Sequence, residues 1–259
     1  DSDTLLNNGS SITFLNFDGK AGADSLINTG DEISATLFDG GSDADLFRSQ
    51  GTGIGNVAFI GADGDDAMLF NATSSPSTET RFDGGLGNDV LVFRGQTSSL
   101  IFEGGNGDDN VIVSGIALSG LLDLPTVSNP QADIGNDRYE FTGSPAGAFT
   151  IGETYSGVTD TSQDSIDFSA FYSGDIQIDI ANTAVQPQPG GMTLELTSAM
   201  SIENVIGSVG GDVIRGNDRD NYIGGAQFYD GGDGSNPIIA KDRPSQWVLL
   251  DFDSATDQL

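Results

Sequence analysis

The feature that most constrains this chain is a repeat in its first 114 residues. The stretch from Phe82 to Val113 holds one unit twice, as Gly84-Gly85-Leu86-Gly87-Asn88-Asp89-Val90-Leu91-Val92 and as Gly104-Gly105-Asn106-Gly107-Asp108-Asp109-Asn110-Val111-Ile112. Both copies fit the nonapeptide G-G-x-G-x-D-x-U-x, with U apolar. Aligned on the first glycine, the unit starts at Gly19, Gly40, Gly61, Gly84 and Gly104, at spacings of 21, 21, 23 and 20. Two residues before each start stands Phe17, Phe38, Phe59, Phe82 or Phe102, and five after it stands Asp24, Asp45, Asp66, Asp89 or Asp109. Seven after it comes Leu26, Phe47, Met68, Leu91 or Val111.

A unit this short cannot bury a core of its own, so its copies must stack into a solenoid. Ile12-Thr13-Phe14, Thr36-Leu37-Phe38 and Val90-Leu91-Val92-Phe93 are short and β-rich. No stretch keeps a helical period for a dozen residues. The expected fold is all-β, a right-handed parallel β-helix or β-roll. The motif makes one turn of each coil, and looser turns at 28–31, 51–55 and 71–80 close the other side. Stacking sets equivalent residues about 4.8 Å apart, with the phenylalanines in an internal ladder and the aspartates in a row along the turn edge.

Glycine reaches φ > 0 without steric cost, so a tight turn can point several carbonyls to one side, while the sixth residue adds a carboxylate. One turn offers too few oxygens for calcium, which takes about 6–8; two stacked turns can share an ion. Five turns leave four gaps between them. The candidate ligands are Asp24, Asp45, Asp66, Asp89 and Asp109, with the glycine segments that include Gly40, Gly61, Gly84, Gly87, Gly104 and Gly107. Asp43, which replaces the fourth-position glycine in the second coil, and Asp108 are further candidates. Two carboxylates about 4.8 Å apart repel by about 1 kcal/mol in water and about 3 kcal/mol at an effective dielectric near 20. A column of such pairs rivals the 5–15 kcal/mol or so that holds a domain together, and calcium reverses the sign. Asp18, Asp39, Asp83 and Glu103, which precede the glycines, read as a solvated edge.

Composition agrees. Nine Lys and Arg against 39 Asp and Glu give a net charge of −30, which argues against nucleic acid and anionic membrane surfaces and for cations. There is no Cys and no His, so disulfides, thiolate sites and imidazole ligands are excluded and hard cations with oxygen ligands remain. With 36% hydrophobic residues and 15 Phe, the chain can form a core once its charge is neutralised. No apolar run approaches the length of a membrane span, and the first ten residues lack a signal-peptide pattern. A removed leader, a C-terminal export signal or an origin within a longer chain would each account for that.

Beyond residue 114 the period fades. Residues 115–206 keep the end of one motif at Gly135-Asn136-Asp137 and alternating strands near Ile166, Ile178 and Leu194, with 186–191 as a loop. They read as larger, irregular coils of the same solenoid or as a small separate β domain. Over 207–239 the motif returns. Gly207 leads to Asp212 and, nine residues later, Gly216 leads to Asn221; both are further candidate ligands. A nine-residue step puts turns on both edges of an 18-residue coil. A final copy at 231–238 carries Asn236 at the acid position, and residues 240–259, with the single Trp247, read as a cap or the start of a following domain.

These motifs resemble the RTX, or haemolysin-type calcium-binding, repeats, strongly over 19–113 and more weakly over 207–238. Glu203-Asn204-Val205-Ile206-Gly207 is similar to segments of very large bacterial surface proteins. The resemblance implies a parallel β-roll with several calcium ions between turns, and export to the cell exterior. The spacing of 20–23 residues departs from the roughly 18 of the family's coil, which counts against ions on both edges in the N-terminal half.

Such repeats accompany proteases, lipases, toxins and adhesins and do not say which. The expected role is non-catalytic: a calcium-stabilised spacer, adhesive or matrix module, or post-export folding aid, extracellular or on the cell surface. Its partners would be calcium, with surface polysaccharide or other surface proteins, and neither nucleic acid nor inserted membrane. The alternatives are a β-helix carbohydrate-active enzyme, for which a carboxylate pair would be needed, and the repeat region of a secreted protease or lipase. An Arg or Lys aligned beside two or three carboxylates in one groove would favour the enzyme.

Overall fold

The computed structural model describes residues 1–74, 78–123, 135–153 and 161–225, with the backbone of the strands Phe228–Asp230, Ile238–Ile239 and Val248–Asp251. The last nonapeptide copy, apart from Ile238, and most of the tail with Trp247 lie outside the described residues. The chain winds into a parallel β-solenoid of about ten coils. One sheet of 11 strands runs its whole length: Thr4–Asn7, Ser25–Asn28, Leu46–Ser49, Ala67–Phe70, Val90–Phe93, Asn110–Val113, Arg138–Phe141, Ser165–Asp167, Asn204–Ile206, Tyr222–Gly224 and Ile238–Ile239. All its pairings are parallel, Ser25 on Leu46, Val90 on Asn110, Asn110 on Arg138, Ser165 on Asn204. The faded middle region is thus a continuation of the same stack.

A second sheet forms the opposite wall, from Leu15–Asp18 through Ala35–Ser42, Asn56–Asp63, Glu79–Leu86, Gln96–Asn106, Ile116–Leu122 and Ala146–Ile151 to Met192–Leu196. The motif glycines lie at the ends of these strands, so the turn edge is where the second sheet hands the chain to the first. A third sheet, Gln177–Asp179, Val213–Arg215, Phe228–Asp230 and Val248–Asp251, replaces the second in the C-terminal coils. There Asn204 pairs with Tyr222, the 18-residue coil that the nine-residue step predicts.

Residues 186–191, read as a loop, form a hairpin. Gln186–Gln188 runs antiparallel to Met192–Leu196, because Gly190 (φ 78°) and Gly191 (φ 83°) let the backbone reverse. The two glutamines then cover the free edge of the third sheet with their side chains. Gln188 accepts from the Gln177 amide (3.2 Å) and donates to its carbonyl (2.7 Å), while Gln186 accepts from the Asp179 amide (2.8 Å) and donates to its carbonyl (3.0 Å). Two side-chain amides thereby stand in for a neighbouring strand, at an edge that would otherwise template association.

Between the walls the expected phenylalanine ladder is present. Ring centroids of Phe17 and Phe38, Phe38 and Phe59, and Phe59 and Phe82 lie 5.1, 4.8 and 4.8 Å apart, with the ring planes nearly parallel. The spacing matches that of the strands, so parallel register stacks identical rings. Phe102 tilts 57° from Phe82, and the column continues as Leu122. Opposite it, Phe47, Met68, Leu91 and Val111 fill the other half of the core.

Truncating Phe59, stacked on both faces, to Ala is expected to cost about 3–5 kcal/mol. Phe14→Ala, at a ring 56% exposed, should change stability by less than about 0.5 kcal/mol. Urea unfolding followed by circular dichroism in calcium measures both.

Candidate metal site

The aspartate column runs along the turn edge and is buried within it. Asp24, Asp45, Asp66, Asp89 and Asp109 are each no more than 2% exposed. The cause is a hydrogen bond that the spacing alone does not show. Each carboxylate turns inward, and its Oδ1 accepts the backbone N–H of the aspartate one coil earlier. Asp24 donates to Asp45 (2.6 Å), Asp45 to Asp66 (2.7 Å), Asp66 to Asp89 (2.7 Å) and Asp89 to Asp109 (2.6 Å). The amide of Asp3 starts the series by donating to Asp24.

The ladder outruns the motif. The amide of Asp109 donates to Asp137 (2.7 Å), that of Asp137 to Asp164 (2.9 Å), and that of Asp164 to Oε2 of Glu203 (2.8 Å). Sequence reasoning did not assign these three acids to the site. The signal was present: each stands immediately before a first-sheet strand, as do the five motif aspartates and Asn221. At its C-terminal end the column loses net charge. Arg219 pairs with Glu203, and Asn221 is neutral, its amide bonded to Asn217 in both directions.

The second carboxylate oxygen is the unusual one. Oδ2 of Asp24, Asp45, Asp66, Asp89, Asp109 and Asp212 is buried with no hydrogen-bond partner. In each case it presses on the first glycine of its own motif. A Cβ on Gly19, Gly40, Gly61, Gly84 or Gly104 would lie 2.1–2.4 Å from that oxygen. The next coil's glycine carbonyl approaches the same place, with Gly40 O at 2.6 Å from it at Gly19, Gly84 O at 2.7 Å at Gly61, and Gly104 O at 2.7 Å at Gly84. The first glycine is therefore fixed by space, not by backbone conformation. Positions two and four are constrained by conformation and by space: Lys20, Gly41, Ala62, Gly85 and Gly105 all have positive φ, as do Gly22, Asp43, Gly64, Gly87 and Gly107, and a Cβ on Gly41, Gly64, Gly85, Gly87, Gly105 or Gly107 would lie 1.8–2.3 Å from a carbonyl oxygen of the preceding coil.

The other sequence candidates fall outside this column. Asp43 sits at φ 77° and is exposed, accepting the Gly22 amide at 3.1 Å. Asp108 belongs to an exposed outer ladder, in which amides of Asn88, Asp108 and Asn136 donate to Asp65, Asn88 and Asp108 at 2.8 Å. Asp212 repeats the buried arrangement on the third sheet; its Oδ1 accepts from Ile176 (2.6 Å) and Ser208 (2.7 Å). Asp18 and Asp39 are exposed, whereas Arg81 joins Asp83 (3.2 Å) and Glu103 (2.7 Å). Arg138 likewise joins Glu140 and Asp167. These arginines sit on strands, bound to their acids. A groove of the third sheet lined by Gln177, Asp179, Gln186 and Arg215 carries one acid beside its arginine.

One further group gathers in the middle coils. Ligand atoms of Asp137, Glu153 and Asp164, all buried, lie within 4.8 Å of one another.

The electrostatics follow from burial. Desolvation, then the charges of neighbouring acids, push Asp45 and Asp66 up to about 6, Asp89 to about 7 and Asp109 to about 9, against a partial offset from the amide each accepts. The acids responsible are Asp24, Asp43 and Asp39 at Asp45, Asp45 and Asp65 at Asp66, Asp66, Asp65 and Asp83 at Asp89, and Asp137, Asp123 and Asp89 at Asp109. A calcium-type cation fits the column on three counts: an unpartnered buried oxygen in every motif coil, a carbonyl of the next coil beside the same glycine at Gly19, Gly61 and Gly84, and a donor set made of oxygen alone. The chain matches no family model, no curated protein and no solved structure.

Two outcomes are expected. Gly84→Ala, which drives a Cβ into the Asp89 carboxylate, should cost about 1–3 kcal/mol. Ala62→Gly, which relieves a left-handed alanine costing about 1–2 kcal/mol against glycine's entropy of about 0.5–1 kcal/mol, should be neutral or stabilising; thermal melts of both decide. Secondly, carboxyls whose protons are held more tightly in the fold stabilise it below their unfolded value of 3.8, and that contribution is lost as pH rises through about 6 to 9. In chelator the melting temperature should therefore fall from pH 4.5 to pH 9, and a flat or rising profile would contradict the buried ladder.

Proposed function

We propose that the chain is a non-catalytic, calcium-stabilised structural module of the RTX type, belonging to a secreted or cell-surface bacterial protein. It acts as a spacer or an adhesive or matrix module, and its folding is completed by calcium outside the cell. The observation that carries this reading is the run of buried carboxylates, each with one oxygen spent on the neighbouring coil and the other left without a partner. The residues that would hold the ions are Asp24, Asp45, Asp66, Asp89 and Asp109, with the carbonyls of Gly40, Gly84 and Gly104. The ion supplies charge neutralisation and cross-linking of coils, and no reaction step is assigned to any residue. Surface polysaccharide or other surface proteins are the partners this reading favours.

Asp89→Asn separates this role from a purely structural one. Asn keeps the acceptor for Asp66 and removes one buried charge. In chelator the variant should melt above the parent. In calcium it should gain less, by about 3–5 kcal/mol, the share of the two intervals that Asp89 borders at 10–100 times Kd. A parent protein whose melt ignores calcium, or a variant destabilised equally in both media, would count against calcium binding.

A further inference from the structure

We infer that the middle coils hold a second kind of cation site, outside the nonapeptide motif, in which Asp123 and Glu153 from the second sheet meet Asp137 and Asp164 from the ladder around one calcium-type divalent ion. In the regular coils the turn between the sheets is closed by Gly-Gly-x-Gly. Here that sequence is gone. Ile116–Leu122 ends at Asp123 and Ala146–Ile151 is followed by Glu153, while Asp137 and Asp164 open the first-sheet strands Arg138–Phe141 and Ser165–Asp167. Side-chain carboxylates from both walls therefore converge on the edge that backbone carbonyls line elsewhere. Asp137, Glu153 and Asp164 bring ligand atoms within 4.8 Å of one another, and Asp123, Asp137, Glu153 and Asp164 are all buried.

Two observations beyond the clustering of acids point to a ligand. The first is Oδ2 of Asp109. Asp109 is 2% exposed and this oxygen has no partner. It lies against Gly104, whose amide donates to Asp123 Oδ1 at 2.5 Å, and the Asp109 amide donates to Asp137 Oδ1 at 2.7 Å, so Asp109 borders two of the four acids from the last regular coil. Asp137 and Asp123 are the first charges that act on it. The second is a deficit of hydrogens. The hydroxyl of Tyr139, fully buried, contacts Asp123 Oδ2 at 2.7 Å and also Glu153 Oε1. One hydroxyl proton cannot serve two carboxylates. The group closes only with an added proton or with a cation, and none of the described ion pairs reaches Asp109, Asp123 or Asp137. A donor set of carboxylate oxygens and a phenol, with no nitrogen or sulfur, selects a hard cation.

This inference stands apart from ion binding along the motif ladder, and the test keeps the two separable. Terbium, a hard oxygen-seeking ion, serves as the probe on the full chain. Luminescence sensitised by the adjoining Tyr139 is titrated in the parent, in Glu153→Gln, in Tyr139→Phe and in Asp89→Asn. The expected result is a sensitised class that Glu153→Gln weakens roughly tenfold or more, since affinity follows ligand charge. Tyr139→Phe should dim that class and Asp89→Asn should leave it intact. A class untouched by Glu153→Gln overturns the assignment, as does one lost equally in Asp89→Asn. Should Glu153→Gln fail to fold, anomalous diffraction from terbium-soaked crystals of the parent decides. A peak between Asp137, Glu153 and Asp164 supports the site, and a cluster without one is a proton-sharing group instead. Such a peak beside a ladder indifferent to calcium would sink the proposed function and leave this inference standing.

Discussion

Everything in this solenoid depends on one hydrogen bond made again at each coil, from a main-chain amide to the aspartate of the next. It joins the repeat to the stack. A parallel sheet supplies bonds within its walls, but at a corner the chain turns and its amides need other partners. The column aspartate meets that need with one oxygen, and a charge-assisted bond of 2.6–2.7 Å is a strong rung. Asparagine would serve as acceptor without the charge, and on the opposite edge the chain stacks asparagine on asparagine, side chain to side chain, with Asn7 Nδ2 donating to Asn28 Oδ1 at 2.9 Å. On the motif edge it places acids instead, at a desolvation cost that neutral amides would avoid. A buried, half-satisfied carboxylate in every motif coil is poor design for stability alone and good design for a stack whose stability is set by a cation.

The same rung explains which parts of the site could be read from sequence. The five motif aspartates were legible because glycines flank them, and the phenylalanine ladder because parallel register repeats whatever the period repeats. Asp137, Asp164 and Glu203 were not assigned, because the search followed the glycines while the acid follows the strand. Gly-Gly-x-Gly encodes a tight turn; the ladder needs only an acid directly ahead of a first-sheet strand, whatever the length of the turn before it. Asp123 and Glu153 carry no such marker, and only the meeting of two walls brings them to the corner. Burial of the column has a related cause. A turn residue is ordinarily exposed, but the amide one coil away draws the carboxylate inward, and the first glycine leaves it the room.

The three glycines of the motif answer to different forces. Positions two and four sit at positive φ, and Lys20, Ala62 and Asp43 show that other residues are tolerated there at modest cost. Position one has no such latitude, being glycine in all five copies, because its missing Cβ is the space occupied by Asp Oδ2. Drift in the repeat has occurred at positions two and four, although a Cβ on the glycines that remain there would meet a carbonyl oxygen of the preceding coil, and not at position one, where a side chain would displace the acid. The irregular coils abandon the glycines together and bring side-chain carboxylates to the corner in their place.

Charge along the axis then has a direction. From Asp24 to Asp109 every rung is a carboxyl group whose second oxygen lacks a partner, whereas at Glu203 an arginine pairs with the acid and at Asn221 a neutral amide replaces it. The C-terminal end of the column carries its own counter-charge at Arg219, although Asp212 on the third sheet keeps an unpartnered buried oxygen. On the proposed reading, an ion that binds only the folded stack would add to its stability by mass action, so a fall in calcium would act first on the N-terminal half, while the coils around Arg219 keep an internal counter-charge. The end of the column with its own counter-charge would then be the base on which the carboxyl-lined coils stack as cations arrive.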